Sequence, residues 1–183
     1  MAGDVQNIYE QMLVIRSQLG DEAAFRELLT LHGPPLLQFT RNMMQSSPNE
    51  VDDLAQEIWL AIYKGLPRLR DAGRFRPWAF RIARDRIYRE YRRRKFPVHS
   101  IVEEELEQLS EICEATEPLA AEELKRGLEA LSPQHREVLL LSFFEEMSYE
   151  EIARATDTTL GTVRSRIYYA KRALKITLER KTI

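Results

Sequence analysis

The chain has 183 residues, 44% hydrophobic and 31% charged, with a formal net charge of −2, which is enough for one or two compact domains with a core and a hydrated surface. No apolar run approaches the ~18 residues needed to span a bilayer, since the longest, Val138 to Phe144, is broken by Ser142, and the opening MAGDVQNIYEQ lacks the basic and apolar regions of a signal peptide. The single cysteine, Cys113, excludes an intramolecular disulfide framework and suits a reducing compartment, with the cytoplasm as the default.

Helical periodicity dominates and alternating runs are few, so the expected fold is all-α: two small helical domains, residues 1–95 and 119–183, joined by an acidic linker at 96–118. A first helix is expected over Val5 to Gln18, ending near Gly20, and Asp21 caps a second in DEAAFRELLTLH. Gly33-Pro34-Pro35 is expected to stop that helix and to start a third, because prolines suit a first turn that needs no N–H donors. After a break at Ser46-Ser47-Pro48-Asn49, Val51 to Leu66 forms a strong helix with Val51, Leu54, Ile58, Ile62 and Leu66 on one face. Pro67 to Gly73 reads as a loop, and Phe75 to about Lys95 as one long Arg-rich helix ended by Phe96-Pro97. The acidic stretch that follows has too few apolar residues for a core of its own and reads as a partly helical linker. Beyond it come the helix AAEELKRGLEAL, a break at Ser132-Pro133 and the apolar helix QHREVLLLSFFEE.

Met147 to Leu174 is the most informative stretch. Ser148 and Glu151 have the spacing of a capping box. Ile152, Ala153 and Ala155 supply a small apolar face, and Asp157-Thr158-Thr159 favours a turn and a new cap. Val163, Ile167, Ala170 and Leu174 make the buried stripe of a second helix whose opposite face presents Arg164, Ser165, Tyr168 and Arg172. This is the layout of a helix-turn-helix, with a second helix suited to the major groove. A helical hairpin with a solvated basic face is the plainer alternative. The coincidence of box, turn and small residues favours DNA.

The modest net charge averages blocks of opposite sign: −4 over residues 1–73, +8 over 74–95, −8 over 96–132 and +2 over 133–183. In the basic block, RFRPWAFRIARDRIYREYRRRK, a helical wheel places Ala79, Ile82, Ala83 and Ile87 inward and Trp78, Arg81, Arg84, Tyr88 and Arg92 together outside. Arginines neutralise phosphates and exposed aromatic faces stack on unpaired bases, a combination suited to opened DNA. Core packing of Trp78 and Phe80, or a solubilising Arg surface, is the alternative. On the preceding strong helix Asp52, Asp53, Gln56 and Glu57 form an acidic-polar face beside Trp59; spacing alone favours a solvated face, and the functional reading is a docking surface for a basic partner helix.

Nothing points to catalysis or to a cofactor. His32, His99 and His135 are far apart and none stands at metal-ligand spacing from Cys113, and there is no phosphate-binding glycine loop or nucleophile elbow. A nucleic-acid-processing enzyme is disfavoured, and the main alternative is an ordinary helix-turn-helix regulator that binds duplex operator as a dimer.

Taken in order, four segments resemble the bacterial RNA polymerase sigma factors of the extracytoplasmic-function (ECF) group: GDEAAFRELL at 20–29, DDLAQEIWLAIYKGLPRLR at 52–70, FRPWAFRIARDRIYREYRRR at 75–94, and Leu131 to Leu174. The resemblance implies that Asp53, Gln56, Glu57 and Trp59 lie on or beside the surface that binds core RNA polymerase. It implies that Arg74 and Phe75 sit in or beside a loop that captures an extruded base of the −10 element, with Trp78, Arg81 and Arg84 on the adjoining helix. It places Arg164, Ser165, Tyr168 and Tyr169 where the recognition helix meets the −35 element. Two residues depart from the family pattern: Asp85 stands where many members have Asn, and Tyr169 where Arg is common, which removes one expected bidentate contact to guanine. The resemblance further implies that docking on the polymerase fixes the spacing of the two DNA-reading halves, that the acidic linker threads near the RNA exit path, and that an anti-sigma protein covers the polymerase-binding surfaces and could hold the protein at a membrane. It implies no small-molecule substrate.

Overall fold

The computed structural model describes residues 2–94 and 121–179, which belong to two compact units. The acidic segment 96–118, with its expected partial helix, and Lys95 lie outside the described residues. Among those described there are eight α-helices and no strand.

The first unit contains α1 (Ala2–Gln18), α2 (Glu22–Met44), α3 (Pro48–Gly65) and α4 (Phe75–Arg93). Asp21 caps α2 as expected, its Oδ1 accepting from the N–H groups of Ala23 and Ala24 at 3.0 and 3.1 Å. Those helix N–H bonds, together with the Arg16 guanidinium at 2.6 Å, hold the Asp21 carboxyl below its ordinary value.

The expected stop at Gly33-Pro34-Pro35 is overturned: α2 runs straight through both prolines. An interior proline costs about 3 kcal/mol. Here the carbonyls left without donors belong to Thr30 and Leu31, which are exposed, so water can serve them. Meanwhile Ala24, Leu28, His32, Leu36, Thr40 and Met43 continue one buried stripe at near four-residue spacing. Burying each large apolar side chain contributes about 2 kcal/mol, and the continuous stripe outweighs the proline penalty.

α3 begins earlier than expected because the Glu50 carboxylate accepts from both the N–H and Oγ of Ser47, at 3.2 and 3.0 Å, while Pro48 occupies the first turn. Val51, Leu54, Ile58 and Ile62 are buried, as is Leu66 just beyond. The stretch read as a loop is two 3₁₀ turns, Leu66–Arg68 and Ala72–Arg74. On α4 the core face is Phe75, Ala79, Phe80, Ala83, Ile87 and Tyr91, whereas Ile82, expected inside, is half-exposed. Phe80 stacks edge-on against Phe39 at 5.3 Å, and the Tyr91 hydroxyl donates to the Met43 carbonyl.

The second unit contains α5 (Ala121–Glu129), α6 (Pro133–Leu139), α7 (Tyr149–Thr156) and α8 (Leu160–Glu179). Ser132 caps α6 by accepting from the His135 N–H at 3.3 Å. Buried Arg136 donates to the carbonyls of Leu128, Glu129 and Leu131, at 2.8, 2.8 and 3.1 Å, satisfying the end of α5. The expected long helix after Ser132 is α-helical only to Leu139: it then widens into a π-helical turn over Leu140–Phe144, closed by the Glu145 N–H on the Leu140 carbonyl at 3.1 Å. Glu146 then takes a left-handed φ of 50°.

Candidate nucleic-acid interface

The capping box opens α7 as expected. Glu151 accepts from the Ser148 N–H and Oγ at 2.9 and 2.8 Å, and the Glu151 N–H donates back to Ser148 Oγ at 3.3 Å. Asp157 makes the turn with a left-handed φ of 55°, a conformation that Asp tolerates better than most residues. Thr159 starts α8 by accepting from the Thr162 N–H at 3.2 Å. Ile152, Ala155, Val163, Ile167 and Ala170 are buried. Ala173 joins that stripe, while Leu174 and Ala153 stand at its half-buried edge.

The opposite face of α8 carries Arg164 and Tyr168, both exposed, and Ser165, Tyr169 and Arg172, half-exposed. Ser165 Oγ donates to the Thr162 carbonyl at 3.1 Å. Tyr168 meets the edge of Tyr169 at 5.3 Å and has the Arg172 guanidinium 5.9 Å from its ring centre. The three side chains therefore stiffen one another, with Tyr168 still 57% exposed. Arg164, in the first turns of the helix, is the long cation best placed to reach a base edge.

On α4 the structure sorts the arginines into two groups. Arg86, Arg89 and Arg93 line a groove of about 380 Å³ together with Glu50, Asp53 and Glu57 of α3. Arg86 pairs with Glu57 at 3.4 Å and Arg94 with Glu50 at 2.8 Å. Glu90 is pushed down to about 2, first by its bond to Arg93 and then by Arg94. The other side of the helix carries Trp78, Arg81, Arg84, Tyr88 and Arg92. Arg84 lies 4.7 Å over the Tyr88 ring and 3.3 Å from Asp85, and Tyr88 leans edge-on against buried Tyr91 at 5.7 Å. The Asp85 carboxylate is thus partly neutralised by its neighbour. This second side is basic and aromatic.

Arg74 caps α4 in the sparsely populated bridge region, φ −100° and ψ 11°, with its Nε 2.8 Å from Asp71. Phe75 is placed differently from its DNA-facing expectation. It is 3% exposed and packed against His32 at 5.1 Å and Trp78 at 6.0 Å, so its ring belongs to the core. Periodicity offered the signal, since Phe75 lies four residues before buried Ala79. Trp78 is half-buried with its ring edge lying over Gly65 at the end of α3.

On α3, Asp53, Gln56 and Glu57 are exposed, and Trp59 is half-buried against Phe25 at 6.0 Å. Two residues not singled out from sequence extend this face: Leu60, 52% exposed, and Tyr63, 56% exposed. Both sit at helical spacing from Gln56, a signal available in the sequence. Among the described residues no group of His, Cys, Asp and Glu could hold a metal, and no helix is long and apolar enough to cross a membrane.

The second unit contains a helix-turn-helix, and the first pairs an acidic-polar face on α3 with a basic-aromatic face on α4. The Sigma-70 region 2 profile matches residues 28–96, and Sigma-70, region 4 matches residues 121–174. The ECF RNA polymerase sigma-E factor of Escherichia coli K12 is 32% identical over 181 residues, covering 92% of this chain and 94% of that protein. RNA polymerase sigma factor NccH of Alcaligenes xylosoxydans xylosoxydans is 29% identical, covering 93% and 95%. The solved structure of CnrH in complex with the cytosolic domain of CnrY superposes with a TM-score of 0.71 at 26% identity, covering 94% of this chain and 98% of that one. The chain belongs to the sigma-70 family, in its ECF group, and is a sigma factor that directs transcription initiation.

Proposed function

We propose that residues 1–95 hold core RNA polymerase and open the −10 element, that residues 119–183 read the −35 element, and that 96–118 link the two. Asp53, Gln56, Glu57 and Trp59 form the polymerase-docking face, with Leu60 and Tyr63 as its apolar anchors. Arg81, Arg84, Tyr88 and Arg92 follow the phosphates of opened DNA, with Trp78 offering a stacking surface and the loop at Arg74 taking an extruded base. Asp85 sits among them, held by Arg84. Arg164, Ser165, Tyr168, Tyr169 and Arg172 meet the −35 duplex, phosphate contacts setting register and base-edge contacts setting sequence.

The observation that carries this reading is the sorting of α4, with one set of arginines lining a groove beside the acids of α3 and the other set interleaved with aromatic rings. An operator-binding regulator has no use for the second set. The protein acts without catalysis of its own, in the cytoplasm, and is held in reserve by an anti-sigma protein. CnrH, which shares the fold, has been solved with the cytosolic domain of CnrY bound. The test is run-off transcription from a promoter library with purified core polymerase. Transcripts with defined start sites that depend on this protein support the proposal, and their absence defeats it.

A further inference from the structure

The stretch 67–74, which carries Asp71 and Arg74, has no fully buried residue, so packing of its own side chains does not fix it. Hydrogen bonds do. The Leu69 N–H donates to the Leu66 carbonyl at 3.0 Å, closing the first 3₁₀ turn. Asp71 closes the second, its Oδ1 accepting from the Gly73 N–H at 3.0 Å and its Oδ2 pairing with Arg74. What ties these turns to the body of the unit is α1. In its last turn, the Gln18 carboxamide nitrogen donates to the Leu66 carbonyl at 2.9 Å and to the Leu69 carbonyl at 2.7 Å. Two turns earlier Gln11 lies against Gly73, where a Cβ would come within 3.4 Å of its amide nitrogen.

A carboxamide has two N–H donors on one nitrogen, and Gln18 spends both on the two ends of a single turn. We propose that Gln18 is a positioning residue for the captured promoter base: through the Leu66 and Leu69 carbonyls it sets where Asp71 and Arg74 stand, without touching DNA itself. This inference rests on the reading of the Arg74 loop given above.

The test uses the full chain with core polymerase, on a promoter obtained by selection with the wild-type protein and carrying each of the four bases in turn at every −10 position. Gln18→Glu is nearly isosteric but sets a carboxylate against two carbonyl oxygens, and Gln18→Asn is too short to span both. Either should reduce the transcript ratio between preferred and disfavoured base at the captured position by about three- to tenfold, the scale of one or two lost hydrogen bonds. Ile15→Ala, on the outward face of the same helix and 50% exposed, should keep the wild-type ratio. A merely structural role would lower transcripts from all four bases in proportion, and that result overturns the proposal, as does failure of both Gln18 variants to fold. Arg74→Ala separates the two readings. If it too leaves the ratio unchanged, the loop reading is lost. If it flattens the ratio while Gln18→Glu does not, only the role of Gln18 is lost.

Discussion

Gly65→Ala moves Trp78 without deleting it. The Gly65 backbone is ordinary right-handed helix, φ −87° and ψ −24°, so alanine adds no backbone strain and gains about 0.5–1 kcal/mol of helix preference. Its Cβ, however, would stand 2.9 Å from Trp78 Cζ2 and 3.4 Å from Cη2. Restoring van der Waals contact displaces the ring by about 0.5–1 Å, a shift that forfeits a quarter to a half of a contact well. Trp78 is half-buried, so it can swing, and the gain and the overlap roughly cancel in stability. If the ring stacks on an unpaired base, an interaction of about 1–3 kcal/mol, the displacement removes about 0.3–1.5 kcal/mol, or roughly a two- to tenfold loss of open complex. The assay is permanganate reactivity of −10 thymines in holoenzyme, alongside core affinity and thermal melting. Lower reactivity with unchanged affinity and melting is expected. Unchanged reactivity would show that the Trp78 ring takes no part in opening.

Arg164→Ala should weaken recognition at one −35 base pair by about 1–3 kcal/mol, and binding-site selection with holoenzyme should show that position relaxed; an unaltered selected sequence contradicts this. Glu146→Gly relieves a left-handed residue and should raise stability by about 1 kcal/mol in thermal unfolding, so no change would mean the turn is not left-handed. Glu90, pushed down to about 2 from 4.5, lends stability that is present above pH 4.5 and lost as pH falls through about 2. Glu90→Gln should therefore flatten this limb of the pH–stability curve and cost about 1 kcal/mol at neutral pH once the exposed Arg93 arm is discounted for screening. A parallel curve for the variant would refute the pairing.

Signals confined to neighbouring residues were legible in the sequence. The Asp21 cap and the Ser148–Glu151 box each involve groups two or three residues apart, and both appear as read; Ser132, read only as part of a break, caps α6 as well. Ser47–Glu50 has the same spacing and forms a capping box, although Ser46-Ser47-Pro48-Asn49 reads as a break. Misreadings came where packing overrides local preference. Pro34 and Pro35 are helix breakers by themselves, yet the stripe on both sides of them buries as one surface. Phe75 adjoins a loop of polar residues, but α2 supplies His32 to cover its ring. The division of the α4 arginines was beyond reach, since a wheel places residues on faces but not the α3 acids opposite them.

If the two DNA-reading halves grip a promoter only when core polymerase holds them, the affinity of the protein for a promoter duplex must depend on whether core polymerase is present. Weak, strongly salt-dependent binding is expected of the protein alone, and tight binding with core that collapses when two base pairs are inserted between the −35 and −10 elements. Tight binding of a palindromic duplex by the protein alone, indifferent to core polymerase, would contradict it.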